Sequence, residues 1–311
     1  MRHSSSSRTL AGIKILDLSR LLPGRFAVKL LSDLGASVDQ VRGPGFEADF
    51  KGPGRIALQS FFSFVRYRKS YEFNLKEEKD RRRFCQLVQK TDLLIENFRP
   101  GVMDRLGVGY KVLSKKNRGL ILCSITGYGQ KGENSQRPGH DLNYLAASGL
   151  LDLFRDSRGK PIIPQIQIAD LVGGGLYAVI EILAALRQRQ KNGKGCHLDI
   201  SMTRSLEDLV SPYRRSPKKA LSLLTGKLAR YNIYQTRGGG EIALGCLEPK
   251  FWKRWCEKIG HPEWASAAER FDFIGTKRYR ALQRMIRSRT KAQWLRIFRG
   301  NDVCVSPVVT L

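Results

Sequence analysis

The sequence predicts an α/β protein in which a large domain with a parallel sheet precedes a smaller α+β domain. Three observations carry this. From residue 12 to about 202, short apolar runs of strand length alternate with amphipathic runs of helix length, and that alternation implies parallel strands with helices covering both faces of the sheet. From about residue 205 the texture changes: "SPYRRSPKKALS" carries two prolines and many charges and reads as a linker. Beyond it, "YNIYQTRGGGEIALGCL" sets two alternating runs around a Gly-rich turn, the pattern of a β-hairpin. The resulting boundaries are a large domain over 1–204, a linker over 205–225 and a small domain over 226–311.

Taken in order, "GIKILDL" is a buried strand, "GRFAVKLLSDLG" a helix closed by Gly35, and "ASVDQV" the second strand. "FCQLVQKT" reads as a helix, "DLLIENF" and "GLILCSITGYG" as strands, and "DLNYLAASGLLDLF" as a helix. "LVGGGLYAVIEILAALRQRQ" is a long helix with an unusually apolar face, and "GCHLDISM" is a late strand. In the small domain, helices fall around 249–260, 276–289 and 291–299.

Composition narrows the class. The chain of 311 residues is 41% hydrophobic, long enough for real cores. No apolar run approaches the ~20 residues of a membrane span, so none is expected. The basic, acid-free start "MRHSSSSRTL" leaves too little room for a transit peptide before the first strand pattern, and reads as a frayed tail on a cytoplasmic protein. Six cysteines lie far apart with no C-x-x-C pair, which argues against a zinc site or a disulfide framework. The net charge of +27 is spread through every segment, and several of its basic clusters sit at helical spacing around apolar positions. Such an excess favours nucleic-acid, anionic-lipid or polyphosphate partners, and its alternative reading is solvated helix faces; with no nucleic-acid motif a nucleic-acid partner is not expected. Phosphate-loop, dinucleotide and G-x-S-x-G signatures are missing.

Three acid–base candidates remain: His140 behind Pro138-Gly139, Asp170 before "LVGGGLY", and Glu248 in "LGCLEPKFW". Each has a structural alternative. Asp170 could cap its helix, Asp141 the helix that follows it, and Glu248 could be a first-turn acid before Pro249. His140 could be a satisfied loop histidine. Gly173, Gly174 and Gly175 allow either close helix packing or backbone amides offered to an oxyanion.

Together, "LAGIKILDLSRLLPGRFAVKLLSDLGASV", "ENFRPGVMDRLGVGY", "CSITGYGQKG", "RPGHDLNYLAASGLL", "IADLVGGGLYA", "GKGCHLDISM", "LEPKFW" and "DVCVSPVVTL" resemble the family III CoA-transferases (the CaiB/BaiF group) and, within them, the α-methylacyl-CoA racemase branch. The resemblance covers residues 10–311. It implies a Rossmann-like large domain, a smaller domain, and an interlocked homodimer with active sites between subunits. It also implies a catalytic His, Asp and Glu matching His140, Asp170 and Glu248. In such a racemase His140 and Asp170 would flank the α-carbon of an acyl-CoA, each serving as base in one direction. Glu248 would orient the imidazole, and amides near Gly173–Gly175 would hold the enolate oxygen. Arg99, Arg66 and Arg68 match best as contacts for the nucleotide end of CoA. CoA arrives as part of the substrate, with no metal or redox cofactor implied.

Alternatives are a CoA-transferase using Asp170 as nucleophile, and a non-catalytic basic binding protein on a decayed scaffold. The chain departs from the family around the nucleotide end, where Arg42 and Gly43 replace the usual acid and arginine, Val65 an asparagine and Arg25 a proline. It also stops where relatives continue into a segment returning to the large domain, so that segment is expected to be missing.

Overall fold

Six strands, β1 (Lys14–Asp17), β2 (Ser37–Arg42), β3 (Lys69–Glu72), β4 (Leu93–Glu96), β5 (Ile121–Thr126) and β6 (His197–Ser201), form one wholly parallel sheet in the order β3-β2-β1-β4-β5-β6. The computed structural model describes residues 8–44, 63–216, 222–265 and 273–310, and it divides into two units at Ser211/Pro212. In the first unit β1 (Lys14–Asp17) leads to α1 (Leu22–Asp33) and β2 (Ser37–Arg42). Then come β3 (Lys69–Glu72), α2 (Glu78–Val88), β4 (Leu93–Glu96), α3 (Val102–Arg105) and α4 (Tyr110–Lys116). The series continues with β5 (Ile121–Thr126), α5 (Asp141–Ser148), α6 (Tyr177–Asn192), β6 (His197–Ser201) and α7 (Met202–Arg215).

The central strands read as nearly continuous apolar runs because both of their faces are covered. Alternate residues serve different layers. Ile15, Leu93, Ile95, Ile121 and Cys123 pack with Val28 and Leu31 of α1 and Ile182 and Leu186 of α6. Leu16, Leu94 and Leu122 pack on the other face with Phe84 and Val88 of α2 and Leu113 of α4. The strand order reverses between β1 and β4, and in such sheets a crevice opens there, beyond the carboxyl ends of the strands.

Several expectations are corrected. The helix expected over 141–154 stops at Gly149, whose φ of +84° suits glycine, and a 3-10 turn, Leu150–Leu153, follows. The long apolar helix begins as a π-helix, Ala169–Leu176, that runs into α6. Counted together, Ala169–Asn192 is long and apolar enough to cross a membrane, the one such helix among the described residues. Half of its apolar window is buried against the sheet, the burial of a core helix. The linker expected from residue 205 is helical through Arg215, because Leu206 and Val210 keep one face of α7 in the core despite Pro212. Lys69–Glu72, too polar to be read as a strand, is the edge strand β3.

The second unit holds the expected hairpin, β7 (Tyr231–Gln235) against β8 (Glu241–Gly245), with α8 (Pro249–Lys258), α9 (Lys277–Arg287) and α10 (Lys291–Phe298). β9 (Val305–Pro307) adds a third antiparallel strand. Trp252, Trp255, Leu282, Ile286, Trp294 and Phe298 fill its core. Thr276 and Thr290 cap α9 and α10 by accepting from the Tyr279 and Gln293 N–H groups.

Candidate active site

A cavity of about 430 Å3 opens at the switch point of the first unit. Its walls come from the segments after β1 (Leu21–Pro23), β4 (Asn97–Pro100) and β5 (Gly127, Tyr128). The first two are tied together: the Asn97 side-chain oxygen accepts from the Arg20 N–H at 2.9 Å. His140, Asp170 and Arg99 all line this cavity.

His140 is the N-cap residue of α5, with extended backbone (φ −126°, ψ 177°). The Asn143 side-chain oxygen accepts from the His140 N–H at 3.0 Å, and the His140 carbonyl from the Asn143 N–H at 2.8 Å. Tyr144 fixes the turn before it by donating its hydroxyl to the Gly139 carbonyl at 2.5 Å, with its ring edge-on to Tyr128 at 5.2 Å. A Cβ on Gly127 would fall 2.1 Å from the Tyr144 ring, so glycine is required there. These contacts leave His140 exposed at the cavity.

Asp141 joins the two candidates. Its carboxylate accepts from the Asp170 N–H at 2.9 Å, and also from the Ala169 N–H. The first residue of α5 therefore caps the start of the π-helix and holds His140 and Asp170 in one frame. Asp170 does not cap its own helix. Burial, and secondarily the Asp141 charge, push the Asp170 carboxyl up to about 7. Burial also raises Asp141, opposed by the two N–H bonds. Tyr144 is pushed up to about 12, by burial first and then by the Asp170 charge.

A stability effect follows from Asp170. Its folded pKa is raised from 3.8 to about 7, so the stability it contributes is fully present below its unfolded pKa and is lost as pH rises through about 7. Asp170→Asn removes that loss. The variant is expected to gain about 1–2 kcal/mol over wild type at pH 8 after solvent screening, and little at pH 5. Melting temperatures of both proteins at the two pH values check this; an equal difference at both contradicts it.

Other expected site residues fall differently. Gly173, Gly174 and Gly175 are buried in the π-helix. In a π-helix each N–H bonds five residues back, so their amides are used within the helix. A Cβ on Gly173 would lie 2.8 Å from the Met202 carbonyl, on Gly174 2.5 Å from Pro23, and on Gly175 2.7 Å from Phe26. Close packing explains all three, and an oxyanion role for their amides does not fit.

The Arg68 fork is taken by Asp39 at 2.7 and 2.9 Å, which spends its best geometry for a phosphate. Arg66 is exposed, and neither it nor Arg68 lines the cavity. Glu248, in the second unit, is the exposed N-cap residue of α8 and makes no side-chain capping bond. Sequence patterns give Asp141 only the role of a local helix cap and do not mark Asn97 or Tyr144, although "ENFRPG" and "GHDLNY" contain them.

The CoA-transferase family III model matches residues 10–311. The chain belongs to CoA-transferase family III. It is similar to human alpha-methylacyl-CoA racemase, 33% identical over 97% of this chain and 78% of that protein. It is also similar to human succinyl-CoA:glutarate CoA-transferase, 32% identical over 97% of this chain and 72% of that protein. Among solved structures, Rv3272 from M. tuberculosis superposes with a TM-score of 0.79 at 28% identity, covering 97% of this chain and 84% of that one. The chain is thus an enzyme-family member with the fold of its relatives, and racemase and transferase relatives stand at nearly the same distance from it.

Proposed function

We propose that this family III protein is an α-methylacyl-CoA racemase or a close acyl-CoA epimerase. The observation carrying this reading is one cavity faced by an imidazole, His140, and by a carboxyl poised near neutrality, Asp170. A group near pH 7 both accepts and donates a proton efficiently. One of the pair removes the α-proton of the thioester, and the bonding electrons move to the thioester oxygen as an enolate. The other returns a proton to the α-carbon, and the roles exchange in the reverse direction.

Two lining residues suit the thioester and amide groups of the substrate. Asn97 Nδ2 and Thr126 Oγ1 are buried without a partner among the described residues, a state that costs about 1–3 kcal/mol until a ligand relieves it. For the nucleotide end, a neighbouring cavity of about 220 Å3 shares Phe98 with the first. It combines apolar walls (Leu18, Val41, Leu75) with Arg20 and Lys76, and Gly43 lies on its edge. Arg99, on the wall of the main cavity, is the remaining cation proposed to meet CoA phosphates.

The second reading, CoA transfer through an Asp170 acyl adduct, is favoured by an identity to transferase relatives (32%) within one percentage point of that to the racemase (33%). His140→Ala separates the two: it removes racemisation but leaves transfer to an added carboxylate intact if Asp170 acts as nucleophile. The homodimer is part of the same proposal. Leu176, Ile180 and Leu183 stand exposed at helical spacing along the π-helix and α6, a stripe that a second copy of the chain would bury. Ile180→Asp is expected to convert a dimer to monomer in light scattering; an unchanged mass for the variant counts against this face.

A further inference from the structure

Glu96, the last residue of β4, takes no part in the chemistry above. It is 3% exposed, accepts the Phe98 N–H at 2.6 Å, and hydrogen-bonds the Ser124 hydroxyl of its cross-strand partner on β5. Ser124 Oγ in turn lies 2.8 Å from His197 Nε2, and the His197 ring stacks on Tyr110 at 5.6 Å. The four residues after Glu96, Asn97 to Pro100, all line the main cavity. A separate cavity of about 660 Å3 reaches Glu96, Ser124 and His197 and shares Arg99 and Pro100 with the first.

We propose that Glu96 is the positioning residue of the acyl-CoA cavity: ionised, it holds the Asn97–Pro100 turn through the Phe98 amide, and its protonation loosens that wall and weakens acyl-CoA binding. The ligand named here rests on the function proposed above; the hold on the turn does not.

A carboxylate accepting an N–H is about twice as strong an anchor as a neutral acceptor. Burial, opposed by the Ser124 and Phe98 hydrogen bonds, pushes the Glu96 carboxyl up to about 7, so the anchor changes state in the neutral range. The groups facing it across the second cavity are Arg99 on its own turn, Asp104 of α3, Tyr110 and Lys111 of α4, Lys131 beyond β5, and His197 of β6. Arg99, Asp104, Lys111 and Lys131 are exposed, so solvent screens their charges. The two hydrogen bonds are direct.

The test is Glu96→Gln, which keeps the shape and an acceptor oxygen but not the charge. With 15N-phenylalanine labelling, the Phe98 amide resonance of wild type is expected to move with a midpoint near pH 7 and to stay fixed in E96Q. The KM of wild type for a 2-methylacyl-CoA should rise about five-fold from pH 8 to pH 6. In E96Q it should sit at the higher value throughout, with kcat within two-fold of wild type at each pH. A Phe98 amide that does not titrate in wild type, or titrates equally in E96Q, overturns the proposal, as does a wild-type KM in E96Q at pH 8. A Phe98 amide that titrates in a protein binding no acyl-CoA overturns the proposed function instead.

Discussion

If the proposed proton transfer operates, Asp170→Asn is expected to lower α-proton exchange on a 2-methylacyl-CoA by about 10²–10⁴-fold, the usual contribution of a positioned acid–base group. Asparagine keeps the size of the side chain and leaves the backbone N–H that Asp141 accepts at 2.9 Å, so the start of the π-helix stays capped. What is lost is a carboxyl held near pH 7 by burial and by Asp141. His140→Ala should lose a similar factor, because the proposed inversion needs both groups. The double variant should be little worse than either single one, since groups acting as a unit are not additive. Binding of the acyl-CoA should survive in Asp170→Asn, because Asn97, Phe98 and Arg99 are untouched. Exchange within ten-fold of wild type in this variant would remove Asp170 from the proton-transfer pair.

Gly173→Ala and Gly174→Ala destabilise the protein, each by about 1–3 kcal/mol, as forced overpacking does. The sign of the effect is informative. In a helix with open space, replacing glycine with alanine gains about 1 kcal/mol, and that gain is expected if these glycines served only to expose amides. Here the new methyl group on Gly173 meets the Met202 carbonyl at 2.8 Å, and that on Gly174 meets Pro23 at 2.5 Å and the Met202 sulfur at 3.1 Å. Backbone and a proline ring cannot move aside cheaply. Denaturant unfolding of each variant measures the change, and a stabilised protein would restore the amide reading.

The parallel sheet was legible because buried strands such as "LLIE" and "ILCSIT" carry their burial in their composition. That His140 and Asp170 would share one cavity was legible because a histidine behind Pro-Gly and an acid before three glycines are unusual, and the family pattern joined them as candidates. Asp141 could not be read the same way. Its partners are the N–H groups of residues 169 and 170, and an aspartate at a helix start has a local use that hides a distant one. Glu96 was hidden for a similar reason: its environment comes from Ser124 and His197 on neighbouring strands, pairings that no local pattern records. Pro212 misled because it marks a break only where packing does not hold a helix together.

The most direct test of the central claim is solvent deuterium exchange at the α-carbon of a 2-methylacyl-CoA, with wild-type protein and no acceptor acid. The account predicts deuterium incorporation with loss of stereochemical purity, carried by His140 and Asp170 and removed when either is replaced. No incorporation, together with transfer of CoA to an added carboxylate, would contradict it and leave Asp170 as the nucleophile of a transferase.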